Sequence, residues 1–235
     1  MDELLVLAGT AATIGVVHTL LGPDHYLPFI AMARARGWSG ARTALVTALC
    51  GIGHVLSSIL LGFAGVLLGI AVFKLESLES IRGDLAGWLL ILFGLFYFLW
   101  GIRRATRGEP HTHQHVHADG ESHSHVHAHV HAHSHVHASA RGDLTPWILF
   151  TVFVLGPCEP LIPLLIYPAA KSNLAAAAMV AAVFATTTVA TMVGCVMTCR
   201  YGLSRIAFPH AERYAHALAG LTILLCGGAI KLLGL

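Results

Sequence analysis

Charge is what this chain has least of. Of its 235 residues only 11% are Asp, Glu, Lys or Arg, where a soluble domain carries about 25%. Hydrophobic residues make up 56% and the mean hydropathy is +0.72. That balance excludes a water-soluble globular domain and leaves a polytopic membrane protein. Cysteine is sparse in the polar parts: Cys50, Cys158, Cys195, Cys199 and Cys226 all fall in apolar segments, so no extracellular disulfide framework is expected. The opening "MDELLVLAG" is acidic and lacks a basic region, so no cleavable signal peptide is expected. No ATP-binding motif is present, which leaves an ion gradient, the membrane potential or another subunit as the energy source. The formal net charge of +2 singles out no partner. Neither nucleic acid, nor an organic cofactor, nor an enzymatic activity is expected.

Apolar runs of about 20 residues mark bilayer crossings. Six are read, at about 4–33, 43–72, 84–103, 145–169, 174–200 and 213–233. The first is interrupted by Gly22-Pro23 and the fourth by Pro157, Pro160 and Pro163. "LGP" at Leu21–Pro23 recurs at Leu155–Pro157, an offset of 134 (155 − 21) that superposes three spans on three. It pairs Asp24 with Cys158, His25 with Glu159 and His54 with Thr188. Three spans is an odd number, so the second copy must lie inverted in the membrane, a recurring transporter plan. The expected fold is an all-α membrane protein of six transmembrane helices, two inverted three-helix repeats with a broken first helix in each. Residues 1–105 form repeat one, 106–142 a polar loop and 143–235 repeat two. Ten arginines fall on the side of that loop, against Lys74, Arg82, Lys171 and Lys231 on the other. The loop is therefore expected in the cytoplasm and both termini outside. Trp38, Trp88, Trp100 and Trp147 are expected at span ends, as interfacial anchors.

The stretch "HTLLGPDH" puts His18, Asp24 and His25 inside the first apolar span. Ionisable groups at that depth are costly and rare without a function. His18 and His25 are seven positions apart, two helical turns. Pro23 cannot donate to the carbonyl of Thr19, so a break is expected beside imidazole and carboxylate groups, ligands for a divalent first-row metal. His54 in "GIGHVLSS" is the second element of this site. Cys158 and Glu159, the counterparts of Asp24 and His25, are the third. Imidazole, carboxylate and thiol together suit nickel, cobalt or zinc better than magnesium or calcium. Each group also has a bland reading, as a hydrogen-bonding partner between helices. Cys50, Cys195, Cys199 and Cys226 are read as small apolar residues.

The polar loop carries twelve histidines, His111, His113, His115, His117, His123, His125, His127, His129, His131, His133, His135 and His137. Tracts of this kind bind metal through exchangeable imidazoles. The alternation with Val and Ala suits a strand, but no regular structure is expected without metal.

"HTLLGPDH", "GIGHVLSSILLG" and an internal His-rich loop resemble the nickel/cobalt transporter superfamily, most of all its urease accessory protein UreH-like branch. The resemblance implies transport of nickel or cobalt across a bacterial inner membrane, with His18, Asp24, His25 and His54 recognising the ion. His18 and Asp24 stand one residue further apart here than in the importers. A metallochaperone or a second copy of the chain is the candidate protein partner, beside the lipid bilayer and the ion itself. "GPCEPLIP" is similar to the Pro-Cys motifs of the DsbD/CcdA thiol-electron transporters, which implies an alternative centred on Cys158. Those need a cysteine in each repeat, and Asp24 stands where the second would be. A metal sensor or store using only the loop is a third reading.

Overall fold

The computed structural model describes residues 2–106, 111–116, 122–127, 144–171, 173–204 and 213–233. Helix α1 spans Asp2–Leu21 with no proline to interrupt it. Pro23 ends it, since it brings no N–H to the next carbonyl. The last backbone bond runs from the Gly22 N–H to the His18 carbonyl, 3.0 Å. A 3-10 turn, Pro23–His25, follows, and then α2, Leu27–Arg36. Gly37 closes α2 at a φ of 62°, a left-handed cap, and the Trp38 N–H returns to the Ala33 carbonyl at 2.9 Å. Helix α3, Gly40–Leu67, starts at Ser39, whose Oγ accepts from the Arg42 N–H at 3.2 Å. Helix α4 runs Val72–Thr106.

In the second half, α5 spans Thr145–Leu155 and α6 Leu161–Ala170, separated by Gly156 and the prolines at 157 and 160. Helix α7 is Leu174–Ser204, with the Asn173 side chain accepting from the Ala176 N–H at 2.9 Å. Helix α8 is Ala215–Leu233. Helix ends recur at the offset read from the sequence: Leu21 and Leu155, Leu27 and Leu161, Arg36 and Ala170, Gly40 and Leu174, each 134 apart (155 − 21, 161 − 27, 170 − 36, 174 − 40).

Glu3, at the start of α1, accepts from Tyr167 at 3.1 Å and pairs with Lys171 just past the end of α6. The counterpart helices α3 and α7, and α4 and α8, pack antiparallel. Gly40, opening α3, lies beside Arg200 near the end of α7, while Gly51 meets Met192. Gly94 and Gly101 of α4 back directly onto the main chain of α8 at Leu224 and Ala217. Glycine is required there because no side-chain atom fits between two helix backbones that close. One buried cluster gathers Phe29, Met32, Leu149, Phe153, Met192 and Ile223. A second joins Ala11, Val55, Cys158, Leu161 and Phe184. Leucines such as Leu5, Leu60 and Leu232 point outward, as lipid-facing residues do.

Among the described residues five helices, α1, α3, α4, α7 and α8, are long and apolar enough to cross a membrane, while α5 and α6 are shorter. The expected break in the fourth span leaves two short helices, of 11 and 10 residues. The third begins twelve residues earlier than its apolar run suggests, at Val72 instead of 84. Lys74, Glu76, Glu79, Arg82 and Asp84 lower the hydropathy of its first turns but do not stop the helix. Arg82 therefore belongs to a spanning helix and drops out of the charge comparison between the two sides. Trp38 is buried in the apolar core, and Trp88 lies well inside α4, so neither is an end anchor. In the loop, where no regular structure is expected, His111–Val116 (β1) pairs antiparallel with Ser122–His127 (β2), His113 opposite His125. His117, His129, His131, His133, His135 and His137 lie outside the described residues.

Gly94→Leu should drive a side chain into the α8 backbone, costing about 1–3 kcal/mol or more. Gly9→Ala, which meets open space, should leave stability within about 1 kcal/mol. Thermal unfolding in detergent checks this, and equal midpoints for the two variants would refute the close-packed α4–α8 contact.

Candidate metal centre

The break after α1 does more than bend the chain. It carries His25 on the 3-10 turn back beneath His18, which occupies the last turn of α1. The two rings meet edge to face with centroids 4.7 Å apart. His54 stands at the middle of α3 and closes the group, 5.1 Å from the His25 ring and 6.4 Å from that of His18. One ligand nitrogen from each of the three lies within 4.8 Å of the others. A metal at about 2.0–2.1 Å from each would draw tetrahedral nitrogens to about 3.3 Å separation. An inward movement of roughly an ångström therefore completes a three-nitrogen site.

The tautomers follow from the partners. The His54 Nδ1–H donates to the Phe153 carbonyl at 3.2 Å, and a carbonyl can only accept. The His25 Nδ1–H donates to the Gly22 carbonyl at 3.1 Å and lies 3.3 Å from Asp24 Oδ1. Both Nε2 atoms are then bare lone pairs, and both are buried without a hydrogen-bond partner. A buried polar atom left unpaired costs about 1–3 kcal/mol, and here two of them belong to one histidine cluster. Imidazoles held through Nδ1 with Nε2 free are the arrangement metal-binding histidines adopt.

The six residues expected at the site do not contribute equally. His18, His25 and His54 form the cluster. Asp24 is not part of that cluster; its Oδ1 lies 3.3 Å from His25 Nδ1 and orients the ring. Cys158 is fully buried, its Sγ 4.0 Å from His18 Nε2. Glu159 is exposed and lines the same cavity, which also takes in Asp24, Asp84 and the three histidines and has a volume of about 650 Å³. Thr188, the counterpart of His54, is fully buried at the middle of α7 with its Oγ1 unpartnered. Cys50 and Cys226 are buried in apolar surroundings, and all five cysteines are free thiols.

Two residues of this region are not read as part of the site in the sequence: Glu79 is not singled out, and Arg82 enters only the charge comparison between the two sides. Glu79 is fully buried, and its carboxylate accepts from the Cys158 N–H at 3.0 Å and the Ser58 hydroxyl at 3.1 Å. Arg82 pairs with Glu79 and donates to the Val154 carbonyl at 2.8 Å and the Ser57 hydroxyl at 2.6 Å. Their i, i+3 spacing is the one local signal, and it was masked by a low-hydropathy stretch that reads as a loop.

Fold and cavity define an integral membrane protein of broken and long helices enclosing a histidine cluster. The family model described as cytochrome C biogenesis protein transmembrane region matches residues 27–229, and the chain belongs to that family. This is the more distant of the two resemblances read in the sequence, and the match gives no support to the nickel/cobalt branch. No curated protein and no solved structure matches the chain.

The tautomer argument separates ligand from orienting group. In protein lacking residues 110–140, so that loop imidazoles do not mask the centre, His54→Ala should abolish tight nickel or cobalt binding. Asp24→Asn should weaken it by about 10–100-fold. Competition titration against a chelating dye reads both, and unchanged affinity in either variant contradicts the assignment.

Proposed function

We propose that this protein carries a divalent transition-metal ion, nickel or cobalt with zinc as a further candidate, across a bacterial cytoplasmic membrane. The observation that carries the reading is the set of three imidazoles with nitrogens within 4.8 Å, two of them, His25 and His54, buried with Nε2 unpaired. Cys158 Sγ supplies a fourth donor, and Glu159 at the cavity wall hands the ion on. The two halves act as inverted repeats, a reading supported by the antiparallel pairing of counterpart helices. Their breaks then meet at one midplane site, and alternate rocking would open it to either side. The His-rich loop, on the cytoplasmic side with both termini outside, collects ions weakly and in number. A metallochaperone or a second copy of the chain would exchange them there.

A second reading is favoured by the family match: thiol–disulfide electron transport centred on Cys158. Forming a disulfide releases two electrons and two protons from two thiols. Cys158 is the one cysteine lining the break, and Asp24 occupies the equivalent position in the first half. The partner thiol would then come from another protein or from Cys50, Cys195 or Cys199.

Reconstituted vesicles distinguish the two. His18→Ala should stop metal flux while the loop still binds several ions. Removal of residues 110–140 should lower stoichiometry but leave flux measurable, since the loop lies outside the spans. Cys158→Ser should slow flux without abolishing it. Normal flux in His18→Ala overturns the metal reading. Capture of a mixed disulfide at Cys158, with metal affinity unchanged in Cys158→Ser, establishes the thiol reading in its place.

A further inference from the structure

An ion pair inside a membrane helix needs an explanation beyond packing. The effective cost of desolvating each charge is several kcal/mol, and apolar residues of similar volume usually fill such a site at least as well. Glu79 is nonetheless fully buried, and the Arg82 side chain is only 20% exposed. The pair does not join two helices at random points. Its hydrogen bonds end on both walls of the histidine cluster.

On one side it grips α3 just beyond His54. Ser57 and Ser58 follow His54 by three and four positions, so they lie one turn along the same helix. Ser57 accepts from Arg82 Nη2 at 2.6 Å while donating to the His54 carbonyl at 2.8 Å. Ser58 donates to Glu79 at 3.1 Å. On the other side the pair grips the break between α5 and α6. Arg82 takes up the Val154 and Gly156 carbonyls at 2.8 and 3.3 Å, and Glu79 takes up the Cys158 N–H at 3.0 Å. A Cβ on Gly83, the next residue, would lie 2.8 Å from the Pro157 ring, so α4 lies against the break itself. The gripped residues flank the two atoms that matter at the centre: the Phe153 carbonyl, which orients His54, and Cys158 Sγ, which stands 4.0 Å from His18.

We propose that Glu79 and Arg82 are the positioning residues of the metal centre, clamping the α5–α6 break to α3 so that His54 Nε2 and Cys158 Sγ are held toward the same ion. The proposal rests on the metal reading of His18, His25 and His54. A clamp of this kind has a physical advantage over apolar packing. A Gly-Pro break frees carbonyl and N–H groups that only directed donors and acceptors can satisfy, and a guanidinium beside a carboxylate supplies both in a fixed geometry.

The test is cobalt(II) titration of the full-length protein in detergent. The predicted wild-type signature is an intense tetrahedral ligand-field band and a thiolate-to-cobalt charge-transfer band. The loop, which has no cysteine, cannot produce the latter. Glu79→Gln should lose the charge-transfer band and weaken binding by about 10–100-fold. Arg82→Lys keeps the charge but not the fork of donors, and should move both readouts in the same direction. Folded variants with wild-type bands and affinity overturn the proposal. If a single variant does not fold, the double variant Glu79→Gln/Arg82→Gln, with no unpaired buried charge, replaces it under the same criteria. Failure of that variant to fold as well would overturn the positioning role, since the pair would then be structural. If wild-type protein shows neither band, the metal reading has failed instead, a result distinct from a variant that matches wild type.

Discussion

A helix broken inside a bilayer exposes backbone groups to a medium that contains no water to receive them. The molecule has two such breaks, at Gly22–His25 and Gly156–Pro160, and much of its polar interior is the consequence. At the first, the Gly22 carbonyl takes the His25 N–H and the His25 ring together. At the second, the Phe153 carbonyl takes His54, while Val154, Gly156 and Cys158 are taken up by Arg82 and Glu79. Satisfying the breaks and building the histidine cluster are one problem. Each imidazole that caps a freed carbonyl through Nδ1 is left with a buried, unpaired Nε2.

The two halves solve that problem differently. In the first, local groups suffice: the turn is short, and His25 and Asp24 come from the turn itself. In the second, Asp24 and His25 are replaced by Cys158 and Glu159, of which Cys158 carries a side chain that packs into the apolar core and Glu159 is exposed at the cavity wall. The second break therefore depends on α3 and α4, which reach it with His54, Glu79 and Arg82. This asymmetry puts the three clustered histidines in one half and Cys158 at the break of the other. It also explains why a family otherwise associated with cytochrome c biogenesis offers a frame that suits either proposed chemistry: the frame holds two breaks face to face, and the side chains on them set what is bound or transferred.

Close helix contacts keep that frame rigid. Gly94 and Gly101 let α4 approach α8 backbone to backbone, and Gly83 lets α4 approach Pro157. Helix α4 is thus fixed on both flanks, which holds Glu79 and Arg82 where the break requires them. Without a hydrophobic driving force between helices in lipid, small residues and buried hydrogen bonds are the means of association that remain.

Composition and local pattern by themselves determined the membrane class, the Gly-Pro breaks, the 134-residue correspondence between halves and three of the histidines that meet. Each of these rests on a local rule: hydropathy over about 20 residues, the missing proline N–H, or the cost of an ionisable group in an apolar run. Only the tertiary structure decided which way those groups face. Asp24 and His25 are neighbours in sequence, yet one orients and the other presents a bare nitrogen, because the turn brings the Asp24 carboxylate against the His25 Nδ1 and leaves Nε2 unpaired. The start of α4 and the role of Glu79 and Arg82 are illegible in the sequence for the same physical reason. Charged residues raise the polarity of a window whether they face water or each other, and what separates the two cases is a partner 72 to 79 positions away, at Val154 and Cys158. No window along the chain contains that partner; folding alone brings it within hydrogen-bonding distance.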